Sequence, residues 1–186
     1  TNIESGSKTI QYIYDDLSYL IKKDRVVYEK EYLDFTSILK ERLEFFDEII
    51  KSNSLYLIQN LEDDLYIKFN ITELQRIIDN NLSNAVKYSS SKSPIFVKLY
   101  YLNDDEIEFS ITTISKKIEN VDKIFEDYYR ENSSRGGFGL GLKIVKDICD
   151  KNLVIINIDS NEKETKFTYR FKINEDTTSW RWVIAK

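Results

Sequence analysis

Arg135-Gly136-Gly137-Phe138-Gly139-Leu140-Gly141-Leu142-Lys143-Ile144-Val145 is the stretch on which the reading of this chain turns. Four of the chain's five glycines fall inside it, so the rest of the molecule does almost without them. Glycine loses the most backbone freedom on folding, and a cluster of it marks a backbone with special dihedrals or close approaches. Directly after the glycines, Leu142, Val145, Ile148 and Cys149 recur at helical spacing. A glycine loop that opens onto a helix presents free N–H groups and the positive end of the helix dipole, which suits phosphate. A simple glycine hinge is the alternative on this stretch alone. Two common phosphate motifs are excluded. A P-loop needs Gly-Lys-Ser/Thr, and Leu142 separates Gly141 from Lys143. The dinucleotide fingerprint needs G-x-G-x-x-G after a strand, and here the spacing is G-x-G-x-G after a polar stretch.

Bulk composition narrows the class. The 186 residues suffice for one domain with a full core and an appendage. A hydrophobic content of 41% with 32% charged residues is that of a soluble globular chain. The net charge of -5 argues against a duplex nucleic-acid binder, so no nucleic-acid partner is expected. No apolar run approaches the roughly 18 residues of a membrane span, and no signal peptide is visible. The single cysteine, Cys149, lies on an apolar helix face and reads as a buried thiol in a reducing, cytoplasmic setting. There is no histidine, which removes every Ser-His-Asp, Cys-His or His-metal scheme from this chain.

Working outward from the glycines, periodicity assigns the remaining elements. Ile10, Ile13, Tyr14, Leu17, Leu20 and Ile21 form a helical stripe over residues 9–24. Residues 25–32 read as a short strand, and Asp34 or Thr36 as the cap of a helix to about Ser52, with Leu39, Leu43, Phe46 and Ile50 inward. Residues 55–61 and 65–70 read as strands around a 62–64 turn, and a helix runs from Thr72 to about Ser89. Strands 95–102 and 106–113 form a hairpin candidate. Residues 114–135 are a long polar connection with one short amphipathic piece, 121–129, and such connections are usually functional or mobile. After the glycine helix, strands at 153–159 and 165–173 follow. The expected domains are a helical lead over 1–24, one mixed-sheet domain over 25–174 with helices on one face, and an unassigned tail over 175–186.

A second constellation lies in the helix from Thr72. Asn80, Asn84, Lys87 and Tyr88 succeed one another on one face, beside the apolar residues Leu74, Ile77 and Ile78. Asparagines there lower helix propensity, so another demand is plausible. An amide oxygen is a hard, uncharged ligand suited to a Mg²⁺ already held by phosphates, and lysine suits a phosphate as a point charge. A solvated polar face is the plainer reading of the same residues.

Three segments together resemble a known family. Asn80-Asn81-Leu82-Ser83-Asn84-Ala85-Val86-Lys87-Tyr88-Ser89 resembles the N box of sensor histidine kinases, N-x-L-x-N-A-x-K-Y-S. Residues 123–130 resemble their F box, and Gly136–Leu142 their second glycine box, in the family's order. Asn161–Phe167 resembles the closing segment before the last strand, with Thr165 but without the usual glycine. The resemblance spans residues 25–173. It implies an α+β fold, the two-layer α/β sandwich (Bergerat-type ATP-binding fold) shared with gyrase and Hsp90. Residues 1–24 would be the second helix of the dimerisation and phosphoacceptor domain.

What the resemblance implies for function can be placed residue by residue. Asn80 would be the Mg²⁺ ligand, Asn84 and Lys87 would contact the phosphates of ATP, and Tyr88 would border the nucleotide. Gly137, Gly139 and Gly141 would let a lid over 115–137 and the helix N-terminus wrap the triphosphate. Phe125 would anchor the lid in an apolar pocket. Arg130, Phe138, Leu140, Leu142 and Thr165 would complete the site. The chain departs from the pattern at the first glycine box, D-x-G-x-G, whose aspartate accepts the adenine amino group. Thr113 aligns with that aspartate, and Ser115 and Lys117 with its glycines. The expected activity is that of a protein-histidine kinase, transferring the γ-phosphoryl group of ATP to a histidine outside this chain for relay to a response regulator. The parent protein would be a homodimer through its dimerisation helices, bound to the membrane through segments preceding this chain. A pseudokinase interaction module is the alternative that the altered box favours; a serine kinase of an anti-sigma system is the other.

Overall fold

The computed structural model describes residues 28–126 and 139–173, together with Tyr14, Ser18, Tyr19, Ile21 and Val26. The chain order is β1 (Glu31–Asp34), α1 (Phe35–Ser52), β2 (Tyr56–Leu61), β3 (Tyr66–Phe69), α2 (Ile71–Tyr88), β4 (Pro94–Asn103) and β5 (Glu106–Thr113), then a 3₁₀ turn (Lys123–Phe125), α3 (Gly141–Asn152), β6 (Ile155–Ser160) and β7 (Thr165–Lys172). A five-stranded mixed sheet has the order β2-β4-β5-β7-β6, and β1 and β3 form a separate antiparallel pair. The β2–β4 pair is parallel; the other three pairs in the large sheet are antiparallel. This is the expected α+β architecture, with a mixed sheet and helices packed on it. Most of the helix expected over 9–24 and the tail over 175–186 lie outside the described residues; Tyr14, Ser18, Tyr19 and Ile21 are helical.

The helices follow from their caps and stripes. Asp34 caps α1 by accepting a hydrogen bond from the Ser37 N–H at 2.9 Å. The α1 side chains Leu39, Leu43, Phe46 and Ile50 are buried as their spacing requires. Asn70, two residues before the expected start, caps α2 by accepting from the Glu73 N–H at 3.1 Å. Leu74, Ile77, Ile78 and Leu82 of α2 are fully buried. Between the layers, Phe35 meets Phe109 and Phe171 at ring-centroid distances of 5.8 and 5.2 Å. These apolar contacts, at about 25 cal/mol per Å² of buried surface, supply most of the cohesion.

Two strand expectations are corrected. The strand expected at 25–32 lies at Glu31–Asp34, so its last residue is also the cap of α1. The strands at 55–61 and 65–70 do not pair with each other. Glu62 and Leu65 are held instead by the start of α1, through Thr36 Oγ1 to the Glu62 carbonyl at 2.8 Å and the Phe35 N–H to the Leu65 carbonyl at 2.8 Å. The chain thereby leaves the large sheet after β2, and β3 pairs with β1. Alternation marks a strand; it does not name its partner.

Two polar nodes position the elements that carry the site. The buried Glu73 carboxylate on α2 accepts from Lys151 Nζ at 2.7 Å and Asn152 Nδ2 at 3.0 Å on α3, and from the Tyr19 hydroxyl at 3.4 Å. Burial and the nearby Glu73 push the Tyr19 phenol well above its ordinary pKa, so it remains a donor. Arg42 of α1 grips Asp79 of α2 bidentately, at 2.8 and 2.9 Å. The two turns joining β4 to β5 and β6 to β7 lack glycine. Asn103 Oδ1 accepts from the Asp105 N–H at 2.8 Å, and Asn161 Oδ1 from the Lys163 N–H at 2.8 Å, closing both turns with side chains.

Candidate functional site

A cleft of about 990 Å³ opens between the second half of α2, the ends of β5 and β7, the start of α3 and the 114–124 segment. That volume is at the upper end for small-molecule sites, which run to about 1,000 Å³. Asn84, Ala85 and Tyr88 face it from α2, and Ile111 and Thr113 from β5. Thr165 and Phe167 face it from β7, and Leu142 from α3. The strand register explains the pairing: Thr113 lies opposite Thr165, and Ile111 opposite Phe167. Alternation then turns both pairs to the same face. The end of α2 is tied to the chain just past β5 by the Ser90 N–H donating to the Ile114 carbonyl at 2.8 Å.

The floor of the cleft carries a chain of hydroxyls. Ser115 Oγ donates to Thr165 Oγ1 at 3.0 Å, and Thr165 Oγ1 and Ser160 Oγ share a hydrogen bond of 2.7 Å. Ser160 Oγ also accepts from the Ile118 N–H at 2.9 Å. The Thr113 hydroxyl reaches Ser115 Oγ only at 3.4 Å and the Thr165 carbonyl at 3.5 Å, weak geometry for a hydroxyl donor. Thr113, Ser115 and Thr165 are all buried. Beside them, Asn81 Oδ1 accepts from the Tyr169 hydroxyl at 2.9 Å, and Asn81 Nδ2 donates to the Ile77 carbonyl at 2.7 Å. Burial raises the Tyr169 pKa far above the ordinary tyrosine value, so its proton stays on the phenol and fixes the Asn81 amide. The charged residues of the lining, Lys116, Lys117, Glu119, Glu162 and Lys163, are all exposed at the rim.

Beyond Leu142, Gly139 and Gly141 lead into α3. Gly139 has φ 71°, a left-handed backbone that glycine takes without strain, and it turns the chain into α3. Leu140 stands at the cap position of α3 without a side-chain cap hydrogen bond, and the first turn holds no acidic residue. The N–H groups there are therefore not claimed by a side-chain cap. Gly141 packs directly on Asn80: a Cβ built at Gly141 would lie 2.1 Å from Asn80 Oδ1. The Asn80 Nδ2 donates to the Arg76 carbonyl at 3.1 Å, which leaves the amide oxygen turned toward the start of α3. That orientation fits an oxygen ligand for a cation at the phosphate end. Among the described residues no group of three or more His, Cys, Asp or Glu is placed to hold a metal.

Of the sequence-derived site residues, Asn84, Tyr88, Thr113, Leu142 and Thr165 line the cleft, and Gly139, Leu140 and Gly141 directly precede Leu142 at the start of α3. Asn80 sits against Gly141, between α2 and α3, and Lys87 lies off the lining with its ammonium 4.9 Å from the Tyr88 ring centroid. Arg130, Gly137 and Phe138 lie outside the described residues. In the 3₁₀ turn the expected anchor, Phe125, is only half-buried; Ile124 is the buried residue and faces the cleft. Asn81, Ser115 and Ser160 were not among the sequence candidates. None of the three carries a local signal: Ser115 and Ser160 meet at Thr165 only once β5, β6 and β7 are placed, and the partner of Asn81, Tyr169, is 88 positions away.

A family model described as histidine kinase-, DNA gyrase B-, and HSP90-like ATPase matches residues 69–175, a span that contains the whole cleft. The chain belongs to this ATPase family. Among its relatives are named sensor kinases. It is 28% identical over 151 residues to the sensor protein VanSC of Enterococcus gallinarum, covering 78% of this chain and 41% of that protein. It is 29% identical over 179 residues to the sensor histidine kinase WalK of Bacillus subtilis, covering 88% of this chain and 28% of that protein. The chain thus spans less than half the length of these relatives. The ATPase-family fold also recurs in solved histidine kinases. ShkA, solved in complex with AMPPNP, superposes with a TM-score of 0.73 at 16% identity, over 88% of this chain and 35% of that one. ThkA, solved in complex with the response regulator protein TrrA, gives a TM-score of 0.72 at 15% identity, over 91% of this chain and 50% of that one.

Proposed function

We propose that this chain is the catalytic, ATP-binding part of a sensor histidine kinase and that it transfers the γ-phosphoryl group of ATP to a histidine outside the chain. The observation that carries the reading is the join of the two constellations. The α3 N-terminus, free of side-chain caps, abuts the Asn80 amide oxygen at one end of a cleft large enough for a nucleotide. Phosphates placed there meet backbone N–H groups and the positive end of the helix dipole. The base then lies toward Ile111, Ala85 and Phe167 with the hydroxyl floor beneath it.

Asn80 would hold a Mg²⁺, and the ion would offset the charge that develops on the phosphates. Asn84 and Tyr88 would border the nucleotide from α2. The protein's own work is positioning and electrostatic support rather than covalent catalysis. An imidazole nitrogen supplied by another segment forms the P–N bond as the bond from the γ-phosphorus to the bridging oxygen breaks, and ADP leaves. The phosphoryl group would pass from there to an aspartate of a response regulator, a partner class supported by the ThkA complex. In the parent protein, the stretch over 1–24 would belong to the homodimer-forming helices.

Incubating this chain with γ-labelled ATP, Mg²⁺ and a separate helical fragment carrying the missing histidine tests the proposal. Acid-labile, alkali-stable label on the fragment is the expected result. Acid-stable label on this chain would point instead to a serine kinase, and no label despite nucleotide binding would leave a non-catalytic interaction module.

A further inference from the structure

The hydroxyls in the polar floor of the cleft can reverse their hydrogen-bond polarity, whereas the Asn81 amide there is fixed by Tyr169. The buried lining of the cleft offers hydroxyls at Thr113, Ser115 and Thr165 and the amide of Asn81; among the described residues every charged group of the lining lies at the exposed rim. A carboxylate can only accept at neutral pH, whereas a hydroxyl donates or accepts as its proton rotates. The strong bonds of the network run among Ser115, Thr165, Ser160 and the Ile118 N–H, at 2.7 to 3.0 Å. Thr113 stands at the end of that chain and is held only by contacts of 3.4 and 3.5 Å. Turning its proton toward a ligand, or turning its lone pairs there, breaks no short bond. The neighbouring walls, Ile111, Ala85 and Phe167, would embrace the flat faces of any purine without reading its edge.

We infer that this site does not distinguish 6-amino from 6-oxo purines, and that Thr113, backed by Ser115 and Thr165, makes it a general purine nucleotide site that takes guanine and adenine nucleotides with similar affinity. The inference rests on the proposed nucleotide site and concerns only its base end. To a 6-amino group Thr113 Oγ1 accepts, with its proton kept on the Thr165 carbonyl. To a 6-oxo group it donates. A site with fixed polarity rejects the wrong partner by as much as about 10⁴-fold, because a buried group is left unpaired. A reversible hydroxyl leaves the 6-position paired with either base.

Calorimetric titration of the full chain with Mg-ADP and separately with Mg-GDP tests this. The expected result is binding of both, with dissociation constants within about tenfold of each other, or 1.4 kcal/mol. Binding of Mg-ADP with Mg-GDP more than about a hundredfold weaker overturns the inference and leaves the nucleotide site standing. Binding of neither at millimolar concentration overturns the nucleotide site, and the inference with it. Two variants then assign the effect. Thr113→Asp, an acceptor only, should shift the ratio toward ADP by about tenfold or more. Thr113→Val, which keeps the shape, should weaken both nucleotides by a similar factor. If Thr113→Val folds and binds both as tightly as the parent, Thr113 is not the group that meets the base.

Discussion

Gly141 and Asn80 are in contact so close that a methyl group on the first would overlap the amide oxygen of the second, at 2.1 Å. Two sequence motifs about sixty positions apart are therefore one piece of structure, the seam where α3 begins against α2. Contact this short is beyond what a shift of a few tenths of an ångström relieves, so a side chain at 141 would drive the buried Asn80 amide out of its place and strain its bond to the Arg76 carbonyl.

Gly141→Ala should accordingly separate α3 from Asn80. Overpacking of this kind costs about 1–3 kcal/mol, part of it offset by alanine's better helix propensity. Thermal denaturation should show a modestly lower midpoint, and Mg-ADP titration a much larger loss, since both phosphate-end groups are displaced. Parent-like nucleotide affinity in a folded Gly141→Ala protein would contradict this.

The Arg42–Asp79 pair holds α1 to α2 one residue before Asn80. Its side chains are only 15% and 9% exposed, so removing Arg42 takes the bidentate clamp from a poorly hydrated carboxylate. Arg42→Met should cost about 2–3 kcal/mol in urea denaturation, less than the loss of a fully buried pair. Adding Asp79→Asn should recover part of that loss; additive penalties in the double variant would argue that the pair has no coupling.

Glu108, on the sheet face away from the helices, gives the fold a pH dependence. Burial alone would raise its pKa. Hydrogen bonds from the Tyr100 hydroxyl at 2.6 Å and Arg170 Nε at 3.2 Å, with Lys166 nearby, hold it below the ordinary value instead. The same bond pushes the Tyr100 phenol up to about 12. A depressed carboxylate pKa stabilises the fold above the unfolded-state value of about 4.3, and that contribution is lost as pH falls through the folded value. Glu108→Gln should thus lower stability near neutrality by about 1–2 kcal/mol, given the partly exposed partners. The gap from the parent should close as the pH drops below about 4. A constant gap from pH 7 to pH 3 would contradict the assignment.

Leu153 ends α3 with φ 59°, a left-handed backbone that a leucine adopts at a cost of about 1–2 kcal/mol. Its side chain is 74% exposed, so packing does not compensate. Leu153→Gly should stabilise the protein by roughly 0.5–1 kcal/mol after the greater freedom of glycine in the unfolded chain is counted. A denaturation midpoint that falls instead would mean that the leucine has packing value in solution.

The helices were legible from their apolar stripes, and α1 from its cap as well, as Asp34 and Leu39–Leu43–Phe46–Ile50 show. Strand partners were not, because the tether of Glu62 and Leu65 to α1 depends on contacts 26 and 30 positions apart that no local pattern encodes. At the site, Asn84, Tyr88 and Thr113 were legible as a helix face and a strand end. The hydroxyl floor was not, since Ser115, Thr165 and Ser160 meet only after β5, β7 and β6 are placed in register. For Asn80 the resemblance implies a Mg²⁺ ligand, and what no motif encodes is its close contact with Gly141.

The most direct test of the account is to follow backbone amide resonances of the isotope-labelled chain while Mg-AMPPNP is added. The account predicts saturable shifts concentrated at Asn80 to Tyr88, at Thr113 to Ser115, at Thr165 and in the first turn of α3, with the shifts around Asn80 and Gly141 depending on Mg²⁺. Shifts confined to some other surface, or none at millimolar nucleotide, would contradict it.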